Sequence, residues 1–242
     1  MKFITAICFF FVSSFVCSQE KITKYYNTYD SVVTKNRATK YAVEYYDSSI
    51  QRIYKEFYDI DDNTILKRAY YINDTTKDGL FVQYINNGQV WDSGYMKMGF
   101  RFGLTYFYHN NGKLASVVDF KEDKESFVTC YDESGEKIKC DKEIEQMPEF
   151  PGKVESLMKY LRTNVNYPRK AAENAIQGKV IVKFYVDIDG KVKNPVVLKS
   201  VDPLLDEEAI RVVKKMPDWK PGIQFNRKVK VYYTLPVSFK LQ

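Results

Sequence analysis

The sequence predicts an α+β protein in two parts: an antiparallel sheet of repeated β-hairpins, then a domain in which helices pack on a three-stranded antiparallel sheet. Three observations predict it. Val229, Val231, Tyr233, Leu235, Val237, Phe239 and Leu241 take every odd position of the last stretch, the period of a half-buried strand. Gly79, Tyr84 and Gly88 return 24 residues later as Gly103, Tyr108 and Gly112. Composition also divides the chain near residue 147. Residues 1–146 carry 19 basic and 21 acidic side chains and residues 147–242 carry 18 and 10, so the net charge passes from −2 to +8. Of the 20 tyrosines, 15 precede the division. Two compositions imply two domains, and 45% hydrophobic content in 242 residues excludes a disordered polymer. The +8 reads first as a solvated face.

Taken in order, the chain opens like an export signal over residues 1–18. Lys2 supplies the positive start, Ile4 to Val16 is nearly all apolar, and Val16-Cys17-Ser18 suits cleavage before Gln19. The run is shorter than the roughly 20 residues needed to span a bilayer. Cleavage is the expected outcome, and an uncleaved inner-membrane anchor is the alternative. Cys8 and Cys17 leave with the signal. Cys130 and Cys140 then form an even pair on either side of a turn at Gly135, which predicts a disulfide, with two free thiols as the alternative.

From Lys21 to Asn73 the tyrosine-rich sequence reads as antiparallel sheet with a turn at Asp61-Asp62-Asn63. Residues 19–140 form the first domain. Its repeats each carry an Asn-Asn-Gly turn, Asn86-Asn87-Gly88 and Asn110-Asn111-Gly112, suited to positive backbone angles. A third copy keeps Tyr131 and Gly135 with Ser126 in place of the leading glycine, and a degraded one precedes them near Tyr58 and Asn63. Phe81, Tyr84, Trp91, Tyr95, Tyr106 and Tyr108 read as core. Over residues 56–140 this pattern resembles MORN-type repeats, which implies an interaction scaffold and no catalysis.

Residues 141–152 read as a linker. Val154, Leu157, Met158 and Leu161 then fall on one face of a helix, Pro168 opens a second short helix ended by Gly178, and Val180 to Ile188 turns at Asp189-Gly190 to return as Val192 to Val201. Asp202-Pro203 starts a third helix whose stripe is Leu205, Ala209, Val212, Val213 and Met216, stopped by Pro217. The final strand runs from Lys228 to Leu241. Its even positions include Pro236, which has no N–H for a ladder, so the even-residue side is predicted to be an open sheet edge.

These motifs have a recognisable order. Tyr167-Pro168, Ala171-Ala172, Gly178-Lys179-Val180, Asp189-Gly190, Leu205-Asp206-Glu207-Glu208-Ala209, Pro217-Asp218-Trp219-Lys220-Pro221-Gly222 and Leu235-Pro236-Val237-Ser238-Phe239 resemble the TonB C-terminal domain over residues 147–242, with 153–242 as its body. The resemblance implies a periplasmic domain that captures the TonB box of an outer-membrane receptor, or a similar segment of another envelope protein, as an added strand. Asn164, Val165, Asn166, Tyr167 and Pro168 correspond to the family's receptor-contacting segment, with asparagines where enterobacterial members have glutamines. Tyr167-Pro168 is equally suited to anchoring a helix start. The edge itself would contribute Lys230, Tyr232, Thr234 and Ser238, and such an edge can also pair with a second copy. Neither the family's transmembrane helix nor its proline-rich spacer is recognised in the sequence, which leads to the expectation of a TonB-like binding domain without its own motor connection. The expectation is therefore an adaptor, with a membrane-anchored transducer coupled to ExbB–ExbD in nutrient or siderophore transport as the alternative.

Nothing in the sequence argues for an enzyme, a cofactor or a metal site. The single histidine, His109, sits beside a repeat turn and reads as a surface residue. Asp206, Glu207 and Glu208 lie at a helix start, where negative charge is favoured anyway. Export argues against nucleic acid.

Overall fold

The computed structural model describes residues 21–28, 31–85, 87–121, 124–140 and 145–241, with the side chain of Lys124 excepted. The signal sequence, Cys8, Cys17, Asn86 and residues 141–144 of the expected linker lie outside the described residues. The fold is α+β. Ten strands are hydrogen-bonded in chain order: β1 (Ile22–Tyr26), β2 (Lys40–Asp47), β3 (Arg52–Asp59), β4 (Ile65–Tyr71), β5 (Lys77–Tyr84), β6 (Val90–Lys97), β7 (Phe100–Tyr108), β8 (Leu114–Lys121), β9 (Lys124–Tyr131) and β10 (Lys137–Ile138). The chain divides into two compact units, 1–105 with 120–123, and 106–119 with 124–242.

In the first unit the alternation of strand side chains separates two faces. One buries Tyr26, Ala42, Phe57, Ala69, Tyr71, Phe81 and Met96. The other explains the tyrosine excess. Tyr25, Tyr41 and Tyr58 stand side by side on β1, β2 and β3, and Tyr45, Tyr54 and Tyr70 on β2, β3 and β4. Ring centroids are 5.2 Å apart for Tyr41 and Tyr58 and 5.1 Å for Tyr54 and Tyr70. Such cross-strand pairs contribute roughly 0.2–1 kcal/mol each. Between the rows runs the Glu56–Arg68 ion pair, 3.0 Å, and Tyr58 donates to Glu56 at 2.9 Å. Burial, reinforced by that hydrogen bond, pushes the Tyr58 phenol up to about 12.

The buried face also holds a charge. Lys55 is fully buried, and its ammonium meets Glu44 Oε1 at 2.9 Å and the Asp74 carbonyl oxygen at 3.0 Å. Glu44, itself buried, also takes Lys24 at 3.0 Å and the Tyr26 hydroxyl at 2.8 Å. Burial works to raise the Glu44 carboxyl, but hydrogen bonds from Lys55, Lys24 and Tyr26 outweigh it and hold it below its ordinary value.

The repeat turns share one geometry. The Gly88 N–H donates to the Ile85 carbonyl at 2.8 Å while the Ile85 N–H donates to that of Gln89 at 2.9 Å, and the same pair of bonds recurs over 109–113, 132–136 and 187–191. Among the described residues of these turns only the glycine has positive φ, at Gly88, Gly112, Gly135 and Gly190, as in three-residue loops whose last residue is left-handed. The Asn-Asn-Gly turns were expected to suit positive angles; at Asn110-Asn111-Gly112 the glycine takes one, and Asn111 accepts the Lys113 N–H at 3.0 Å, which stabilises an ordinary turn conformation.

The aromatic stripe is not uniformly core. Phe81 is buried, Tyr84, Trp91 and Tyr108 are half-buried, and Tyr95 and Tyr106 are exposed. Leu80 faces Tyr95 across β5 and β6, so these residues lie on the side of the pleat opposite Phe81.

The second unit begins with the end of β7 and includes most of β8, then β9 and β10. The Cys130 and Cys140 sulfurs are bonded, with Cys130 opposite Ile138 in the β9–β10 ladder. His109 is a correction: it is buried, and its Nε2 lies 3.0 Å from the Tyr131 carbonyl oxygen. The turn at 132–136 lies beside its own, where Asn111 donates to the Glu133 carbonyl at 2.8 Å. Within the expected linker, β11 (Glu145–Gln146) pairs with β14 (Gly222–Gln224), which turns into β15 (Arg227–Val229), and Glu149 bridges to Lys220.

Next come α1 (Lys153–Asn164), α2 (Arg169–Glu173), β12 (Gly178–Val186), β13 (Val192–Lys199), α3 (Pro203–Lys214) and β16 (Val231–Phe239). α3 starts as its sequence dictates, with the Asp202 carboxylate accepting the Leu204 N–H at 2.9 Å. α2 ends at Glu173, and Gly178 opens β12 instead of closing the helix. The sheet order is β13-β12-β16. Val180, Val182, Phe184 and Val186 of β12 and Leu205, Ala209, Val212 and Val213 of α3 form the core with Leu235, Val237 and Phe239. Trp219 packs edge-on against Phe150 and Phe184. A Cβ on Gly190 would meet the Trp219 carbonyl oxygen at 2.2 Å, so that turn needs glycine for space as well as for φ.

Candidate functional site

The last stretch differs from a single strand beginning at Lys228. β15 belongs to a separate hairpin, and Lys230 interrupts the two strands. β16 occupies an edge of its sheet, with β12 as its one partner among the described residues. The register is unbroken from Gly178 opposite Phe239 to Val186 opposite Val231 and passes Ile181 opposite Pro236 without a shift. A ladder can continue past proline only if that residue's backbone faces away from its partner. The Leu241 N–H, on an odd residue, donates to the Gln177 side chain at 2.9 Å, just before β12. Both observations place the even-residue backbone groups of Tyr232, Thr234, Pro236 and Ser238 on the open side. Their side chains are exposed while Leu235, Val237 and Phe239 are buried.

Along one half of this edge runs a groove of about 750 Å³. Pro236 through Leu241 form one wall; α1 and the segment after it form the other with Met158, Leu161, Arg162, Val165, Tyr167 and Ala172. Arg162 and Lys240 are the charged side chains among them, and the rest of the lining is apolar apart from Ser238 and the Tyr167 hydroxyl.

The sequence placed Val154, Leu157, Met158 and Leu161 on one buried helix face. Leu157 and Leu161 are buried, but Val154 and Met158 are exposed, because α1 contributes only a narrow stripe to the core. Met158 is thereby left for the groove. A methionine at the margin of a helix stripe is the signal that could have identified it.

Of the expected partner-binding residues, the structure brings Val165, Tyr167 and Ser238 together on the groove. Tyr167 is also an anchor: its hydroxyl donates to the Ile176 carbonyl at 2.6 Å and its ring meets Phe239 edge-on at 5.7 Å. Pro168 caps α2. Asn164 turns back on its own helix, donating to the Tyr160 carbonyl at 2.9 Å. Lys230, Tyr232 and Thr234 lie toward the far end of β16, outside the groove lining.

Glu208, set aside in the sequence as a helix-start charge, positions the groove wall. It is buried and accepts the Asn166 N–H at 2.6 Å and two bonds from Arg211, at 2.6 and 2.7 Å. Arg211 also donates to the Asn164 carbonyl at 2.7 Å. α3 thus holds the segment that carries Val165 and Tyr167. Burial tends to raise the Glu208 carboxyl, but the Arg211 bonds and the Asn166 N–H outweigh it and hold it below its ordinary value. Its contribution to stability is therefore present above the unfolded value near 4.3 and is lost as pH falls through the lower folded value. Glu208→Ala is expected to cost about 1–3 kcal/mol by leaving buried donors unpaired. It should also speed exchange of the Asn166 amide hydrogen at neutral pH; unchanged protection there would remove Glu208 from this role.

Among known families, residues 163–241 match the model of the Gram-negative bacterial TonB protein C-terminal. The match covers Val165, Tyr167 and Ala172 of the groove and the sheet β13-β12-β16, but neither Met158, Leu161 and Arg162 of α1 nor the ten-stranded meander. Two NMR solution structures of Helicobacter pylori TonB-CTD are similar to the chain, each with a TM-score of 0.30. One is 22% identical and covers 37% of this chain and 80% of that one; the other is 23% identical and covers 36% and 91%. No curated protein matches.

Proposed function

We propose that the C-terminal domain captures an extended peptide by adding it as a strand to the open edge of β16, with the peptide's side chains entering the groove beside α1. The partner is a TonB-box-like segment of an outer-membrane receptor or another envelope protein. The reading is of a periplasmic adaptor, in which the hairpins of residues 56–140 serve as a MORN-like scaffold and not as a catalyst. The observation that carries it is the coincidence of an unpaired strand edge with a groove of mainly apolar lining. Backbone bonds contribute roughly 1 kcal/mol each net. A micromolar complex, about −8 kcal/mol, therefore needs the side-chain contacts that Met158, Val165 and Tyr167 offer. The match of residues 163–241 to the TonB C-terminal family supports the same partner class.

The test is titration with a synthetic TonB-box peptide. Thr234→Pro and Ser238→Pro each delete one edge N–H and should weaken binding about fivefold per bond while the fold is kept. Thr234→Val, which keeps the N–H, should bind as the parent does. Parental affinity in both proline variants would sink the edge assignment.

A further inference from the structure

Among the described residues, helices cover the sheet β13-β12-β16 on one side only. Its other side carries an uncompensated basic and apolar surface. Strand alternation puts Lys179, Ile181, Lys183 and Tyr185 of β12 on that side, since Val180, Val182, Phe184 and Val186 point to the core. Opposite them, the register places Val196 against Lys183, Lys199 against Ile181 and Tyr232 against Tyr185. The Lys183 ammonium lies 5.0 Å from the Tyr232 ring centre, and that of Lys230 lies 4.9 Å from Tyr185. At the hairpin turn Lys191 and Lys193 are paired with Asp189 and Asp187. Among the described residues no carboxylate pairs with Lys179, Lys183, Lys199 or Lys230, so four of the 18 basic side chains of residues 147–242 stand uncompensated on this face. Apolar side chains stand among these lysines: Val196 is 43% exposed, Leu198 58% and Tyr232 57%.

We infer that this open sheet face docks on an anionic lipid surface. Four unpaired lysines supply the charge complementarity, each contributing through the surface potential of acidic headgroups. A soluble polyanion would satisfy the lysines but leave Leu198, Val196 and the tyrosine rings in water. The headgroup region takes both, with lysine stems and tyrosines at the interface and the aliphatic side chains below them. The face is separate from the groove wall formed by α1, and the inference does not depend on the peptide reading.

The test is co-sedimentation of the full chain with vesicles of phosphatidylglycerol and phosphatidylcholine, compared with phosphatidylcholine alone. Binding should require phosphatidylglycerol and weaken as salt shortens the screening length. Changing Lys179, Lys183, Lys199 and Lys230 together to glutamine should lower partition by about a hundredfold or more with an unaltered melting midpoint; the four arginine replacements should restore it. Any anchorage through residues 1–20 is the same in every variant, so the comparison reports on the face. Equal partition of the glutamine variant, equal binding to phosphatidylcholine alone, or lysine-dependent binding to polyglutamate without binding to vesicles would each overturn the inference.

Discussion

Replacing Lys55 by methionine is expected to destabilise the first unit by about 3–5 kcal/mol, because it removes one partner of a buried ion pair and leaves the other in place. Methionine matches the stem, so the loss is electrostatic and not a cavity. Glu44 would keep Lys24 and Tyr26 but lose the ammonium at 2.9 Å, and the Asp74 carbonyl oxygen would lose its donor at 3.0 Å. Against a typical domain stability of about 5–15 kcal/mol this is a large fraction. Urea unfolding followed by tyrosine fluorescence measures it. The double variant Lys55→Met with Glu44→Leu should recover much of the loss, since an apolar pair of similar size replaces the ionic one with no charge left over. The carboxyl of Glu44 is held low, so its favourable share exists above the unfolded value near 4.3 and disappears as pH falls through the lower folded one. Acid should therefore narrow the gap between the parent and the Lys55 variant. A Lys55→Met protein within about 1 kcal/mol of the parent at neutral pH would show that the network is solvated and structurally idle.

This network also marks where sequence reading stops. Strand alternation, the recurring glycines and the capped helix at Asp202 are local signals, and each leads to the element observed. The placement of β16 at a sheet edge followed from one residue, Pro236, whose missing N–H is a constraint that no packing can change. Lys55 lies in a strand whose pattern gives no hint that a lysine points inward; only the joining of β1, β2, β3 and the turn at Asp74 makes its burial tolerable. The groove was half legible. Val165 and Tyr167 came from motif position, whereas Met158 and Arg162 depend on how far α1 rolls onto the sheet, a tertiary quantity. His109 was misjudged for the same reason, since its burial comes with a contact to Tyr131, 22 residues away.

The hairpin β14–β15 was not visible in the sequence, and its turn leads to the second large effect. Phe225 and Asn226 both have positive φ, 50° and 63°, as a two-residue turn of this kind requires. Asparagine tolerates that; phenylalanine does not. What offsets the strain is packing within the second unit. The Phe225 ring stacks on Phe107 with centroids 3.9 Å apart, and the Ser116 hydroxyl donates to the Phe225 carbonyl at 2.7 Å. The Asn226 amide donates to the carbonyls of Ala115 and Tyr131, both at 2.9 Å. Phe225→Ala should therefore cost about 3–5 kcal/mol in the transition of this unit. Phe225→Gly should be the milder change by about 1 kcal/mol, because glycine also relieves the backbone, whereas a cavity alone would affect both equally. Calorimetry of the two variants decides it, and an alanine variant as stable as the glycine one would remove backbone strain from the account. The consequence reaches the proposed site, since a single residue, Lys230, separates β15 from β16. A hairpin fixed at Phe225 fixes one end of the edge strand. The same substitution should therefore raise amide exchange at Val231 and Tyr233, whose backbone faces β12, before it does so at Val237, next to the groove.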